Sequence, residues 1–185
     1  IREGIAWSDG TPITAHDFEY SWKQIFHRDE CGKVHMLFDG IVGYDAIAAA
    51  MKEGKTGDDL TAVIEENFAI DAVNDYTFTV QLENARPWIL STFASTYTGP
   101  IKKDVYEANG AAYGSAVDKF AYCGAFYVSD WAYNEKVTLA PNPYYWNAEN
   151  VKLDGVEILI VKDVEPRVNM FKEGKIMFAR ATSEY

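Results

Sequence analysis

The chain has 185 residues, 48% of them hydrophobic and 15% aromatic, and charged residues make up 24%. So many Trp, Tyr and Phe residues bury enough apolar surface to offset ordering entropy, which excludes disorder and leaves one ordinary domain or two small ones. A net charge of −11 opposes the basic surface that nucleic acid demands, and no apolar run approaches the ~20 residues of a bilayer span.

Ile1 stands where a Met would begin a chain, and no charged-then-apolar leader follows, so the sequence reads as excised from something longer. Ile1 to Trp7 reads as a strand end. Ser8-Asp9-Gly10-Thr11-Pro12 is turn chemistry, with Asp-Gly for the reversal and Pro12 fixing φ. Thr14 predicts a helix N-cap, with Asp17 in the first turn to meet the exposed amides. That helix carries Phe18, Trp22, Ile25 and Phe26 as an apolar stripe of core type. Gly43 to Gly54 predicts a second helix, rich in Ala and stopped by glycine. Lys55 to Asp59 reads as a polar loop. Asn67 to Val73 and Tyr76 to Leu82 predict two strands joined at Asn74-Asp75, with Phe78, Val80 and Leu82 alternating with polar residues. Pro87 opens a short helix through Phe93, and Lys102 to Ala108 forms another ending at Asn109-Gly110.

Near Tyr122 to Gly124 helical segments give way to strands. Ala125 to Trp131 and Lys136 to Ala140 predict a second hairpin, broken by Pro141-Asn142-Pro143. Gly155 to Val161 is an apolar strand, Glu165 to Lys172 a helix stopped at Gly174, and Ile176 to Ala179 a last strand. This order resembles a βαβ crossover. Arg180 to Tyr185 carries no cap or tail signature and reads as a second cut.

Residues with catalytic or metal chemistry are sparse. Cys31 and Cys123 are too few for a disulfide scaffold; they read as unpaired, mostly buried thiols, with a bridge between them as the alternative. His27, Cys31 and His35 fall on one helical face, but Gly32 interrupts it and three successive turns span too far for one tetrahedral ion, so no metal is expected. No nucleophile elbow, P-loop or GxGxxG is present. Asp9 with Asp17, or Glu65 with Glu66, read as solvated acids rather than an acid–base pair. Tyr144-Tyr145-Trp146 reads as packing in preference to a ligand platform.

The motifs together resemble a known family. Trp7-Ser8-Asp9-Gly10-Thr11-Pro12-Ile13-Thr14-Ala15-His16-Asp17-Phe18, followed by Tyr20-Ser21-Trp22, resembles the signature of the oligopeptide/dipeptide/nickel solute-binding proteins of ABC importers. Ala72 to Val80 resembles that family's central hairpin, and Gly99-Pro100-Ile101-Lys102-Lys103 its Pro-Val-x-Lys lead into a helix. Gly124 to Trp131, Asn142-Pro143-Tyr144-Tyr145-Trp146 and Gly155 to Gly174 resemble later blocks in the family's order. The look is nearest to the oligopeptide-binding branch.

The resemblance implies an α+β fold: an accessory domain plus part of the first lobe of a type II periplasmic-binding-protein-like fold. Residues 1–123 would be most of the accessory domain, and residues 124–185 a partial segment of the first lobe, strands plus one crossover helix. It implies capture of short peptides outside the cytoplasmic membrane, at its extracellular face or in the periplasm, and delivery to an ABC permease. It implies no enzyme activity and no cofactor. Any signal peptide or lipoprotein anchor would lie before Ile1. Another ligand (nickel-chelate, sugar oligomer or signalling peptide) is the first alternative, and a hydrolase using the acidic residues a remote one. In peptide-binding relatives a tyrosine after the signature helix helps hold the peptide's amino terminus; Cys31-Gly32-Lys33 offers none here. A Tyr-Asn pair that commonly meets the ligand backbone is Arg180-Ala181 here, the usual acid of Gly-Glu-Ile-Asp is Met177, and Cys123 replaces a small polar residue. The resemblance thus nominates Gly32, Arg180, Ala181 and Thr182 as ligand-binding candidates, with Arg180 either pairing a ligand carboxylate or simply exposed. Without the other lobe, the chain alone is expected to fold, to bind peptides weakly, and to dimerise through exposed apolar surface or an edge strand.

Overall fold

The computed structural model describes residues 1–28 and 32–180. Its first helix, α1 (Ala15–Gln24), starts where Thr14 leaves the extended backbone, and Asp17 Oδ2 accepts the Thr14 N–H at 2.7 Å. This carboxylate occupies the positive end of the helix dipole. The apolar stripe turns inward as its spacing predicts: Trp22, Ile25 and Phe26 are buried and Phe18 half-buried. Trp22 is the hub of the core, its ring 4.9 Å from Phe38, 5.1 Å from Phe78 and 4.8 Å from Phe93. Each such pair adds ~0.5–1.5 kcal/mol beyond the area it buries.

A 3-10 helix, Val34–Phe38, carries Phe38 beneath Trp22. Helices α2 (Tyr44–Lys52) and α3 (Gly57–Asn67) pack on each other over Ile47, Ala50, Leu60 and Ile64. The polar stretch Lys55 to Asp59, expected as a loop, is instead the approach to α3 and its first turn. Asp58 and Asp59 favour the helix N-terminus, and the Leu60–Ile64 spacing then buries one face. The two helices meet closely at Gly43, which has φ +89°; a Cβ there would stand 1.8 Å from the Asn67 carbonyl oxygen.

Strands β1 (Ile70–Asn74) and β2 (Thr77–Val80) form the expected hairpin, antiparallel with Ile70 opposite Val80 and an irregularity between Ala72 and Asn74. Strand β1 starts later than expected because Asn67 closes α3. Helix α1 lies against both strands. The short helices α4 (Ile89–Phe93) and α5 (Lys103–Asn109) follow, separated by a 3-10 turn at Thr96–Thr98.

A second, antiparallel sheet has the order β3-β4-β5. It comprises β3 (Phe126–Ala132), β4 (Lys136–Pro141) and β5 (Val156–Leu159), with Trp131 opposite Val137 and Lys136 opposite Leu159. Helix α6 (Val164–Lys172) closes the described elements. Among the described residues, two expected strands do not form. Ile1 to Trp7 contributes only the isolated bridge of Ala6 with Pro12, because the turn at Gly10 reverses the chain too soon to build a ladder. Ile176 to Ala179 stays irregular, and Met177 and Phe178 are 90% and 83% exposed. A strand needs a ladder partner for its backbone groups, and none of the described residues pairs with this segment, so among them the βαβ crossover is not completed.

A ladder of rings, Tyr20–Tyr106–Tyr113–Phe120–Tyr122–Tyr127, runs from α1 past α5 to β3, with successive centroids 5.1–6.3 Å apart. Beside it the Ser8 N–H donates to Tyr122 O at 2.7 Å. Asn142, 1% exposed, donates through Nδ2 to Gly124 O at 3.0 Å and accepts the Tyr144 N–H on Oδ1 at 3.0 Å. Tyr144 then covers Gly10, and the Arg2 guanidinium lies 3.8 Å from the Trp146 ring centroid. Tyr144 therefore packs on the signature turn, while Trp146 lies beside Arg2 and both rings stay about half exposed.

Candidate functional site

Ser21 and Trp22, on the buried side of α1, each hold a distant carbonyl. Ser21 Oγ donates to Gly99 O at 2.6 Å, and Trp22 Nε1 donates to Thr98 O at 2.9 Å. Thr98 is buried, its hydroxyl between Phe93 O at 2.7 Å and Ser95 O at 2.8 Å. Ser95 Oγ accepts the Tyr97 N–H at 3.4 Å. Buried polar groups held this way resist displacement, because breaking one bond strands its partner. The segment from Ser95 to Gly99 is thus pinned to α1 while the Tyr97 ring projects outward, 58% exposed.

Opposite this wall runs the 3-10 helix Val34–Phe38. Phe38 is fully buried, and Met36 on the other side is 55% exposed. Between the walls lie two adjoining grooves that share Val34 and Tyr97, of about 430 and 350 Å³. The outer one is lined by Lys33, Val34, Met36, Leu37, Ser95 and Tyr97. The inner one reaches Ser21, Ile25, Arg28 and Pro100. The described lining includes two cations, Lys33 and Arg28, and no acid, although the chain carries 28 Asp and Glu residues. The Arg28 guanidinium also lies 6.0 Å from the Tyr106 ring centroid.

Neighbouring titratable groups serve the frame. His35 Nδ1 lies 3.1 Å from Tyr44 Oη, and His27 Nε2 lies 3.4 Å from Thr61 Oγ1. Burial pushes both imidazoles below their usual range, so both are predominantly neutral at pH 7. Among the described residues, no group of three His, Cys, Asp or Glu side chains could hold a metal. Cys31 lies outside the described residues, and so do the questions of its bridge to Cys123 and of the His27–Cys31–His35 face. Burial raises the Cys123 thiol, which lowers its reactivity.

The nominated residues fall in different places. Gly32 has φ +53°, with open space where a Cβ would stand, and it immediately precedes the groove residues Lys33 and Val34. Arg180 is exposed and lines neither groove. Ala181 and Thr182 lie outside the described residues. Sequence reasoning passed over Lys33, Met36, Ser95 and Tyr97. The available signal was Tyr97 itself, an aromatic inside the turn-forming run Ser95-Thr96-Tyr97-Thr98-Gly99. An apolar trough with exposed Met and Tyr walls and polar backbone nearby suits ligand binding more than bond-making chemistry.

Comparison with known proteins agrees with this geometry. The family model described as "Bacterial extracellular solute-binding proteins, family 5 Middle" matches residues 1–184. The oligopeptide-binding protein OppA of Bacillus subtilis is 30% identical over 97% of this chain and 31% of its own length. The probable deoxycholate-binding periplasmic protein YgiS of Escherichia coli is 31% identical over 95% of this chain and 31% of its own. The structure of Listeria monocytogenes OppA bound to peptide is similar with a TM-score of 0.80 and 30% identity, over 95% of this chain and 33% of that one. The chain spans about a third of the length of the curated relatives it matches.

Proposed function

The chain belongs to the bacterial extracellular solute-binding proteins of family 5, and from that premise we propose that the whole polypeptide captures short peptides for an ABC importer. It binds them outside the cytoplasmic membrane, in the periplasm or at the extracellular face of that membrane, and hands them to the permease. The observation that carries this reading is the match across residues 1–184, joined to relatives whose names state oligopeptide binding. The role is binding and not catalysis. A peptide needs main-chain partners, a few charges and roomy side-chain pockets, which is what the grooves beside α1 can supply. Residues 1–123 act as an accessory domain and residues 124–185 as part of the first lobe; two separate sheets joined through the aromatic ladder support that division.

Gly32 and Arg180 are contact positions in this proposal: Gly32 through the open space beside the outer groove, Arg180 through its exposed cation. Calorimetry of the full polypeptide with a diverse library of short peptides tests the reading. Saturable heat together with a rise in thermal midpoint is expected; no heat and no shift with any peptide overturns it. A second reading, a non-peptide ligand, is favoured by the likeness to YgiS, and deoxycholate in the same titration decides it. Robust hydrolysis of peptides or glycosides, abolished by one carboxylate change, would displace both.

A further inference from the structure

Tyr97 stands where the two grooves beside α1 meet. It and Val34 belong to both linings, so a ligand reaching from one groove into the other passes the Tyr97 ring. That side chain is 58% exposed, and the outer groove also carries the thioether of Met36, itself 55% exposed. The backbone beneath the ring is fixed from two directions. From α1, the buried Ser21 and Trp22 donate to the carbonyls of Gly99 and Thr98. Within the turn, the Thr98 hydroxyl bonds Phe93 O and Ser95 O, and Ser95 Oγ accepts the Tyr97 N–H. A surface turn can leave its carbonyls to water. Here two of them are held by donors of a core helix, which makes the turn as stiff as the core it joins.

We infer that Tyr97 is a ligand-contacting residue whose ring packs on an aromatic side chain of the bound peptide, and that Ser21 and Trp22 are positioning residues acting through it. The inference rests on the peptide-binding reading above and deepens it. The lining sets the chemistry of the occupant. A ring and a thioether both make favourable contacts with an aromatic side chain, and Val34 and Leu37 add aliphatic surface beside them. The outer groove, about 430 Å³, is large enough for one such side chain. The anchorage sets the role of α1. A tyrosine has only two rotatable side-chain bonds, and on a stiff turn it loses little freedom when it meets a ligand.

The test uses the full polypeptide with Tyr97→Ala, Ser21→Ala and the double variant. Ala-Ala-Phe-Ala-Ala and penta-alanine serve as probes in calorimetry. Tyr97→Ala alters an exposed side chain and leaves the core untouched. It is expected to weaken the Phe peptide about tenfold, the upper range for one aromatic pair, and penta-alanine far less. Ser21→Ala is expected to weaken the Phe peptide about threefold on its own and not at all beside Tyr97→Ala, because nothing is left to position once the ring is gone. A merely structural Ser21 would lower the thermal midpoint alike in both backgrounds and show no such coupling in affinity. If Tyr97→Ala leaves the Phe peptide's affinity unchanged, or weakens penta-alanine equally, the contact fails and the peptide reading stands. If Ser21→Ala weakens the Phe peptide equally in both backgrounds, the positioning role fails. If neither probe binds the unaltered protein, the inference fails, and the peptide reading falls with it only when the wider peptide library also gives no heat.

Discussion

Trp22 concentrates the physics of this chain in one side chain. Its ring packs among Phe38, Phe78 and Phe93, and its Nε1–H satisfies the buried Thr98 carbonyl. Trp22→Phe keeps an aromatic ring but orphans that carbonyl, an expected loss of about 1–3 kcal/mol in urea unfolding. Trp22→Ala adds a cavity and is expected to lose about 3–5 kcal/mol. Asp9 makes a prediction about acid. Burial alone would raise its carboxyl, but hydrogen bonds from Lys102 and Thr11 and the Lys102 charge bring it down to about 2 from an ordinary 3.8. A carboxyl depressed by folding adds stability above its unfolded value and loses it as pH falls through the folded one. Asp17 runs oppositely: burial raises its carboxyl, so its contribution improves as pH falls. Lys102→Met should therefore flatten the stability loss between pH 3.8 and about 2 while lowering stability at neutral pH. Thermal unfolding of both proteins across that window measures the effect; parallel profiles would contradict it.

At the scale of elements, legibility followed how local the causes were. Helix α1 was readable because its cap, its apolar spacing and the turn before it all lie within residues 8–26. The β3–β4 hairpin was readable because its two strand-forming runs and the Pro141-Asn142-Pro143 stop that ends the second lie on the chain itself. Helix α3 was hidden: its polar start resembles a loop, and Leu60 and Ile64 gain their meaning only from α2 packed over them. Ile64→Ala is expected to cost about 2–5 kcal/mol in urea unfolding, a large value that a surface loop would not show. Gly43→Ala forces a side chain at φ +89° into the Asn67 carbonyl, with an expected cost of at least ~1–3 kcal/mol by the same measurement.

For the whole molecule, the second sheet leaves apolar surface uncovered. β5 is an edge strand of that sheet, and Ile158 and Leu159 at its end and Ile160 just beyond it are each 40–48% exposed. Exposed apolar strand edges are templates for pairing. We expect the 185-residue chain on its own to self-associate with rising concentration, and Ile158→Lys to reduce that association, both read by light scattering after size exclusion. A monomer at every concentration would count against the role assigned to this edge.

The sequence by itself determined the local devices: the Asp9-Gly10 turn, the Thr14–Asp17 cap, the two hairpins and the family they compose. Their causes act within a few residues, so they can be read from order and spacing. Only the tertiary structure decided the groove. Its walls come from residues 33–37 and 95–101, and what unites them is Ser21 and Trp22 reaching Gly99 and Thr98 from a helix distant in sequence. Such bonds form because burial leaves those carbonyls no other partner, a condition that exists only once the core has closed.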